Sequence, residues 1–147
     1  MELYLASKFS LAARVDALHK VLEAAGHTVP DQWWRLDTKQ TLSDGTNVEK
    51  MPDREWYKLP EVRVIADRHW QSIKRCDALV LVGPLRGGTP VTFTGAHIEL
   101  GYAFALGKPC FTVGPLTRSA MYLPAVQCET GDELLRRLRL YAQFGVR

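Results

Sequence analysis

One carboxylate, Glu99, stands in an otherwise greasy stretch, Ala96-His97-Ile98-Glu99-Leu100-Gly101-Tyr102-Ala103-Phe104-Ala105-Leu106. The stretch is short and rich in helix formers, so it predicts a three-turn helix. Ile98, Tyr102 and Ala105 recur at spacings of four and three while Leu100, Ala103 and Phe104 fill most of the remaining circumference, leaving the helix apolar nearly all round. A carboxylate in the first turn of such a helix lies near the positive end of the macrodipole and the mouth of the preceding loop, placed like a reactive group. The plainer reading is a carboxylate that complements the dipole on a solvated face. Gly95, Gly101 and the alanines favour a site, because they let backbone and ligand come close.

Other candidates gather around it in the chain. His69 lies on the apolar stripe Val62, Ile65, Ala66, His69, Ile73, Cys76, where it reads either as a hydrogen-bonded core histidine or as a general acid or base. His97, two residues before Glu99, falls on a different helix face and could cap the loop or reach a leaving group. The loop from Gly83 to Gly95 contains Arg86-Gly87-Gly88-Thr89 and Thr92-Phe93-Thr94 ahead of a helix N-terminus, a weak anion-binding signal that is neither a Walker A loop nor a dinucleotide fingerprint. Ser7 and Lys8 follow the first strand, either meeting a ligand hydroxyl or phosphate or forming an ordinary turn. Trp33, Trp34, Trp56 and Tyr57 bracket a polar segment and suit base stacking, an oligomer interface or satellite-core packing equally well. No pair of cysteines has metal-ligand spacing, His97 and Glu99 are not at i, i+4, and the expected chemistry needs no cofactor.

The elements that must position these groups follow from patterning. Glu2 to Ala6 predicts a first strand, and Ser10 a helix N-cap before the stripe Leu11, Val15, Leu18, Leu22, Ala25, which stops at Gly26. His27 to Trp33 predicts a second strand, shortened or pushed to an edge by Pro30. A polar insertion at about residues 36–60 is too long for a simple connection and reads as a lid or binding loop. Pro60 opens a helix that runs to about Arg75. Ala78 to Val82 and Phe111 to Val113 are continuous apolar runs, the mark of strands covered on both faces of a parallel sheet. A helical turn is expected at about Ser119 to Leu123 and a last strand at Val126 to Cys128. Thr130 and Glu133 then make a capping box for a final helix packed through Leu134, Leu135, Leu138 and Tyr141.

Gly95-Ala96-His97-Ile98-Glu99-Leu100-Gly101-Tyr102-Ala103, continuing to Gly107-Lys108-Pro109, resembles the nucleoside 2-deoxyribosyltransferase superfamily, which includes deoxynucleoside 5′-monophosphate N-glycosidases. Its E-[LI]-G-x-A segment carries the nucleophilic glutamate, which the resemblance places at Glu99. Leu3-Tyr4-Leu5-Ala6-Ser7 is similar to the family's first strand, whose tyrosine, here Tyr4, helps orient that glutamate. Two positions depart from the pattern: His69 and Phe93 stand where the transferases carry aspartates.

The resemblance implies an α/β, flavodoxin-like single domain over residues 1–147, a doubly wound sheet of about five parallel strands. It implies cleavage or transfer at an N-glycosidic bond, with Glu99, Tyr4 and His69 catalytic. Ser7, Lys8, Phe9, Trp33, Arg86, Gly87, Phe93, Thr94, Gly95 and His97 would contact a nucleoside or nucleotide. It also implies a homodimer or higher homo-oligomer, with the loop from Pro115 to Pro124 completing a neighbour's pocket. The competing readings are a non-catalytic nucleotide-binding module of the same fold and a relative of the phosphoribohydrolases, whose P-G-G-x-G-T run is missing here.

Composition bounds the rest. At 147 residues the chain is one domain able to bury a core without staples. Hydrophobic content of 46% and charged content of 24% are ordinary for a globular protein, and no apolar run approaches the roughly 20 residues of a membrane span. With no signal-peptide pattern, the expected location is cytoplasmic. Three scattered cysteines suit buried thiols in a reducing compartment. The net charge of +3, much of it in Arg136-Arg137-Leu138-Arg139, reads as a solvated helix face rather than a nucleic-acid stripe.

Overall fold

The structure, a computed structural model, describes residues 1–35, 55, 58–85, 93, 95–115 and 124–145. Four strands, β1 (Leu3–Ala6), β2 (Ala78–Val82), β3 (Cys110–Val113) and β4 (Val126–Cys128), form one parallel sheet in the order β1-β2-β3-β4. Every residue of the first three is buried, as the continuous apolar runs require, whereas the short edge strand β4 is only partly covered.

Four helices among the described residues flank the sheet: α1 (Ala12–Ala24), α2 (Pro60–Arg75), α3 (Gly95–Ala105) and α4 (Gly131–Phe144). Register assigns the faces. Tyr4, Leu79 and Cys110 are cross-strand partners and share one face, while Leu5, Val80 and Phe111 share the other. Phe111 meets Tyr141 of α4 edge-on, and α4 packs on α1. Tyr4 reaches α2 and α3, which pack on each other, so the sheet carries a helix pair on each side.

Of about five expected strands, four are found among the described residues, with a parallel bridge, Glu2 to Thr28, where the second strand was expected. Two features end that ladder. Pro30 has no N–H to donate, and the Trp33 indole N–H takes the Leu5 carbonyl at 2.6 Å, an acceptor on the same open edge of β1 as the Leu3 N–H that pairs with Thr28. The chain then coils into a short 3₁₀ turn, Trp33–Arg35.

Helix ends follow the sequence closely. Pro60 begins α2 and Gly26, at φ 82°, lies just past α1. Glu133 N–H donates to Thr130 Oγ1 at 3.2 Å, while the Glu133 carboxylate accepts from Glu129 N–H at 3.0 Å, one residue short of a reciprocal capping box. Ser10 differs from expectation: it sits inside a 3₁₀ turn, Phe9–Leu11, and α1 starts without a side-chain cap. The three cysteines are free and buried, and burial pushes the Cys76 and Cys128 thiols up to about 11. Most of the insertion at about residues 36–60, Trp56 and Tyr57, and the turn expected at Ser119 to Leu123 lie outside the described residues.

Candidate active site

Tyr4 is the second residue of β1, on the face that α2 and α3 cover, and its phenol is almost wholly buried. The hydroxyl donates to Glu99 Oε1 at 2.7 Å. From α2, His69 brings Nδ1 to 3.1 Å of the same oxygen, its ring edge-on to Tyr4 with centroids 6.1 Å apart. Both contacts therefore fall on Oε1, and among the described residues Oε2 accepts no hydrogen bond. Glu99 and His69 keep side-chain exposures of 14% and 22%, so neither is a sealed core residue.

Glu99 stands one turn further along than the first-turn position expected: α3 begins at Gly95 and has no acidic residue in its first turn. Because the macrodipole decays within that turn and is worth about 0.3–1 kcal/mol, it is the lesser influence here. Hydrogen bonds to a charged group contribute about 1.5–3 kcal/mol each, so Tyr4 and His69 are what hold the carboxylate. Burial first, and the Glu99 charge second, push the Tyr4 phenol far above its ordinary range. It stays protonated, and hence a donor, at any physiological pH.

Beside Glu99 opens a cavity of about 340 Å³, lined by Ser7, Lys8, Trp33, His69, Phe93, Gly95, Ala96 and Glu99. This falls in the roughly 300–1,000 Å³ range of small-molecule sites. The Trp33 indole N–H is committed to Leu5, so its ring, not its polar tip, is what the wall presents. Ser7 sits at the end of β1 with its hydroxyl donated to the Val82 carbonyl at 2.7 Å, tying the ends of β1 and β2 together. Lys8 is the cation at this wall. Phe93 is buried and stacks at a tilt on His97, centroids 5.7 Å apart.

Of the expected site residues, Glu99, Tyr4, His69, Ser7, Lys8, Trp33, Phe93 and Gly95 thus come together. Phe9 and His97 stand behind the lining, Phe9 edge-on to Trp33 at 5.6 Å. Arg86, Gly87 and Thr94 lie outside the described residues. Sequence reasoning missed Arg68 and Asp31, which meet behind His69: Arg68 Nη2 is 3.5 Å from His69 Nε2 and Arg68 Nε is 3.4 Å from Asp31 Oδ1. Nothing in the spacing from Asp31 to Arg68 advertises that pair. No group of three or more potential metal ligands occurs among the described residues.

No family model and no curated protein matches the chain. Solved structures do. The CMP N-glycosidase BcmB of Clostridium botulinum aligns over 95% of this chain and 100% of its own at 19% identity, with a TM-score of 0.55. A 2-deoxyribosyltransferase from the psychrotolerant bacterium Bacillus psychrosaccharolyticus aligns over 92% of this chain and 90% of its own at 22% identity, TM-score 0.64. The chain therefore shares the fold of these two structures. In this fold the cavity lies beyond the carboxyl ends of β1 and β2, where open parallel sheets place their ligands. No helix among the described residues is long and apolar enough to cross a membrane.

Proposed function

We propose that the protein is an enzyme that breaks the N-glycosidic bond of a nucleoside or nucleoside 5′-monophosphate, with Glu99 as nucleophile. The observation that carries this reading is the division of labour on one carboxylate that lines the cavity: Tyr4 and His69 both meet Oε1, and among the described residues Oε2 has no partner. Among the described residues lining this cavity Glu99 is the single carboxylate, so the second carboxyl group that glycosidases of either stereochemistry ordinarily use as acid or base is not among them.

In the first step the Glu99 Oε2 lone pair forms a bond to C1′ as the C1′–N bond breaks. The bond's electrons leave with the base, which takes up a proton from solvent. Tyr4 and His69 keep the carboxylate oriented throughout, a positioning advantage that persists in the glycosyl ester. In the second step water, or an acceptor base, attacks C1′, expels the Glu99 carboxylate and gives up its proton. His69 acts as the second donor to the nucleophile rather than as a free acid, because Nδ1 is spent on Glu99 and Nε2 faces Arg68. Trp33 and Phe93 supply apolar walls for a base, and Lys8 suits a 5′-phosphate.

A second reading, a nucleotide-binding module without turnover, draws on His69 and Phe93 standing where the transferases carry aspartates. Incubation with a panel of ribo- and deoxyribonucleosides and their 5′-monophosphates, with free base followed by chromatography, separates the two. Base release that vanishes in Glu99→Ala supports the enzyme. Tight binding with no release in any case supports the module.

A further inference from the structure

His69 has two ring nitrogens, and each faces a different kind of partner. Nδ1 lies 3.1 Å from the Glu99 carboxylate, an acceptor, and Nε2 lies 3.5 Å from Arg68 Nη2, a donor. A guanidinium has no lone pair to offer and does not lose its proton, so a nitrogen turned towards it is best as the bare, accepting one. The hydrogen of a neutral imidazole then sits on Nδ1, where Glu99 needs it. In the opposite tautomer both contacts fail together, Nε2–H against N–H and the Nδ1 lone pair against Oε1.

Arg68 itself stands beside a carboxylate. Its Nε lies 3.4 Å from Asp31 Oδ1, and the Asp31 side chain is 7% exposed. The other carboxylate oxygen, Oδ2, is buried and has no hydrogen-bond partner among the described residues. Arg68 Nε is likewise buried without a hydrogen-bond partner among the described residues, so the two charges meet at ion-pair distance rather than through a hydrogen bond, with the Arg68 side chain 39% exposed. The charged and titratable groups around His69 are therefore Tyr4 from β1, Glu99 from α3 and Arg68 on its own helix, with Asp31 behind Arg68 and Lys8 across the cavity.

We propose that Arg68, beside Asp31, is a positioning residue that locks the His69 ring in its Nδ1–H tautomer and aims that proton at Glu99. Only the kinetic consequence rests on the enzymatic reading above. The tautomer is a property of the resting protein.

The test is long-range ¹H–¹⁵N correlation of the histidine rings in the full chain, with His69 assigned by the signals lost in His69→Gln. The wild type is expected to show a protonated-type Nδ1 and a bare-type Nε2. Arg68→Met, which keeps the stem and removes the donors, is expected to shift the ring towards the Nε2–H form and to lower kcat about tenfold, the low end of what losing an orienting partner costs. Arg68→Lys, still a donor, restores the wild-type ring pattern in part. An Nε2–H ring in the wild type, or an unchanged ring in a folded Arg68→Met, overturns the proposal. Should Arg68→Met not fold, the wild-type spectrum and Asp31→Asn decide it by the same criteria. A protein that releases no base from any nucleoside yet shows the expected tautomers refutes the enzymatic reading and leaves this one standing.

Discussion

Two corners of the molecule are built from the same kinds of side chain and end in opposite conditions. On the outer side of α1, Asp16 receives Trp34 Nε1 at 3.1 Å, Arg35 Nε at 2.9 Å and Lys20 Nζ at 2.9 Å, with Arg35 Nη2 also at 2.8 Å. The neighbouring His19, 0% exposed, has Glu23 at 3.1 Å on Nε2 and Arg35 at 3.3 Å on Nδ1. Every polar atom there has somewhere to go. At the other corner, a carboxylate, a histidine and an aromatic donor also meet, yet among the described residues one carboxylate oxygen is left over, and a cavity opens beside Glu99. Residue type alone does not distinguish a structural network from a site. What distinguishes them is whether the hydrogen-bonding capacity is used up.

The comparison breaks if mutations at the two corners have similar consequences. The largest effect is expected from Glu99→Gln, which keeps the shape and removes the charge: base release should fall by about 10⁴-fold or more, as for other lost nucleophiles, with the melting temperature nearly unchanged. Tyr4→Phe, measured by the same chromatographic assay, should lose about 10²-fold, the lower end for one preorganised donor. His19→Ala is expected to do the reverse. Removing a buried, fully partnered ring should cost about 2 kcal/mol in denaturant unfolding, while kcat per folded molecule is retained.

Smaller still are the pH effects. Asp16 is held well below the ordinary carboxylate range, first by Lys20, then by Trp34 and Arg35. Its contribution to stability is present above about pH 4, where an unfolded aspartate is ionised, and is lost as pH falls further. Asp16→Asn should flatten the acid end of a stability–pH curve without altering turnover at neutral pH. At the alkaline end the sign is opposite. The Cys76 and Cys128 thiols are raised from 9.0 to about 11 and the Tyr4 phenol is raised further, so stability should decline above about pH 9 as the unfolded chain gives up protons that the folded one keeps. Tyr4→Phe should remove the steepest part of that decline.

Much of the fold was legible because its signals are local. The apolar runs at 78–82 and 111–113, Pro60 at the start of α2, Gly26 past α1 and Thr130 before α4 each fix an element through its own residues. The second strand misled because its end depends on a remote event, the Trp33 indole taking a carbonyl 28 residues away in sequence. In the site, Glu99 was visible as a lone charge on a greasy helix and His69 as a polar break in an apolar stripe. Glu99's turn was misjudged by the uncertainty of a helix start, and with it the weight given to the dipole. Arg68 and Asp31 were invisible for a different reason. Arg68 is an ordinary surface residue by pattern, and its nearness to Asp31 is a tertiary contact between residues 37 apart in sequence.

The most direct trial of the central claim is to trap the ester. Incubation with a 2-fluoro nucleoside, whose fluorine destabilises the positive charge needed for breakdown of a glycosyl ester, followed by intact-mass measurement and peptide mapping, should show one added sugar. That sugar should sit on the peptide carrying Glu99 and be missing in Glu99→Gln. Base release from ordinary nucleosides that continues undiminished in Glu99→Gln, or an adduct mapped to any other side chain, would contradict the account.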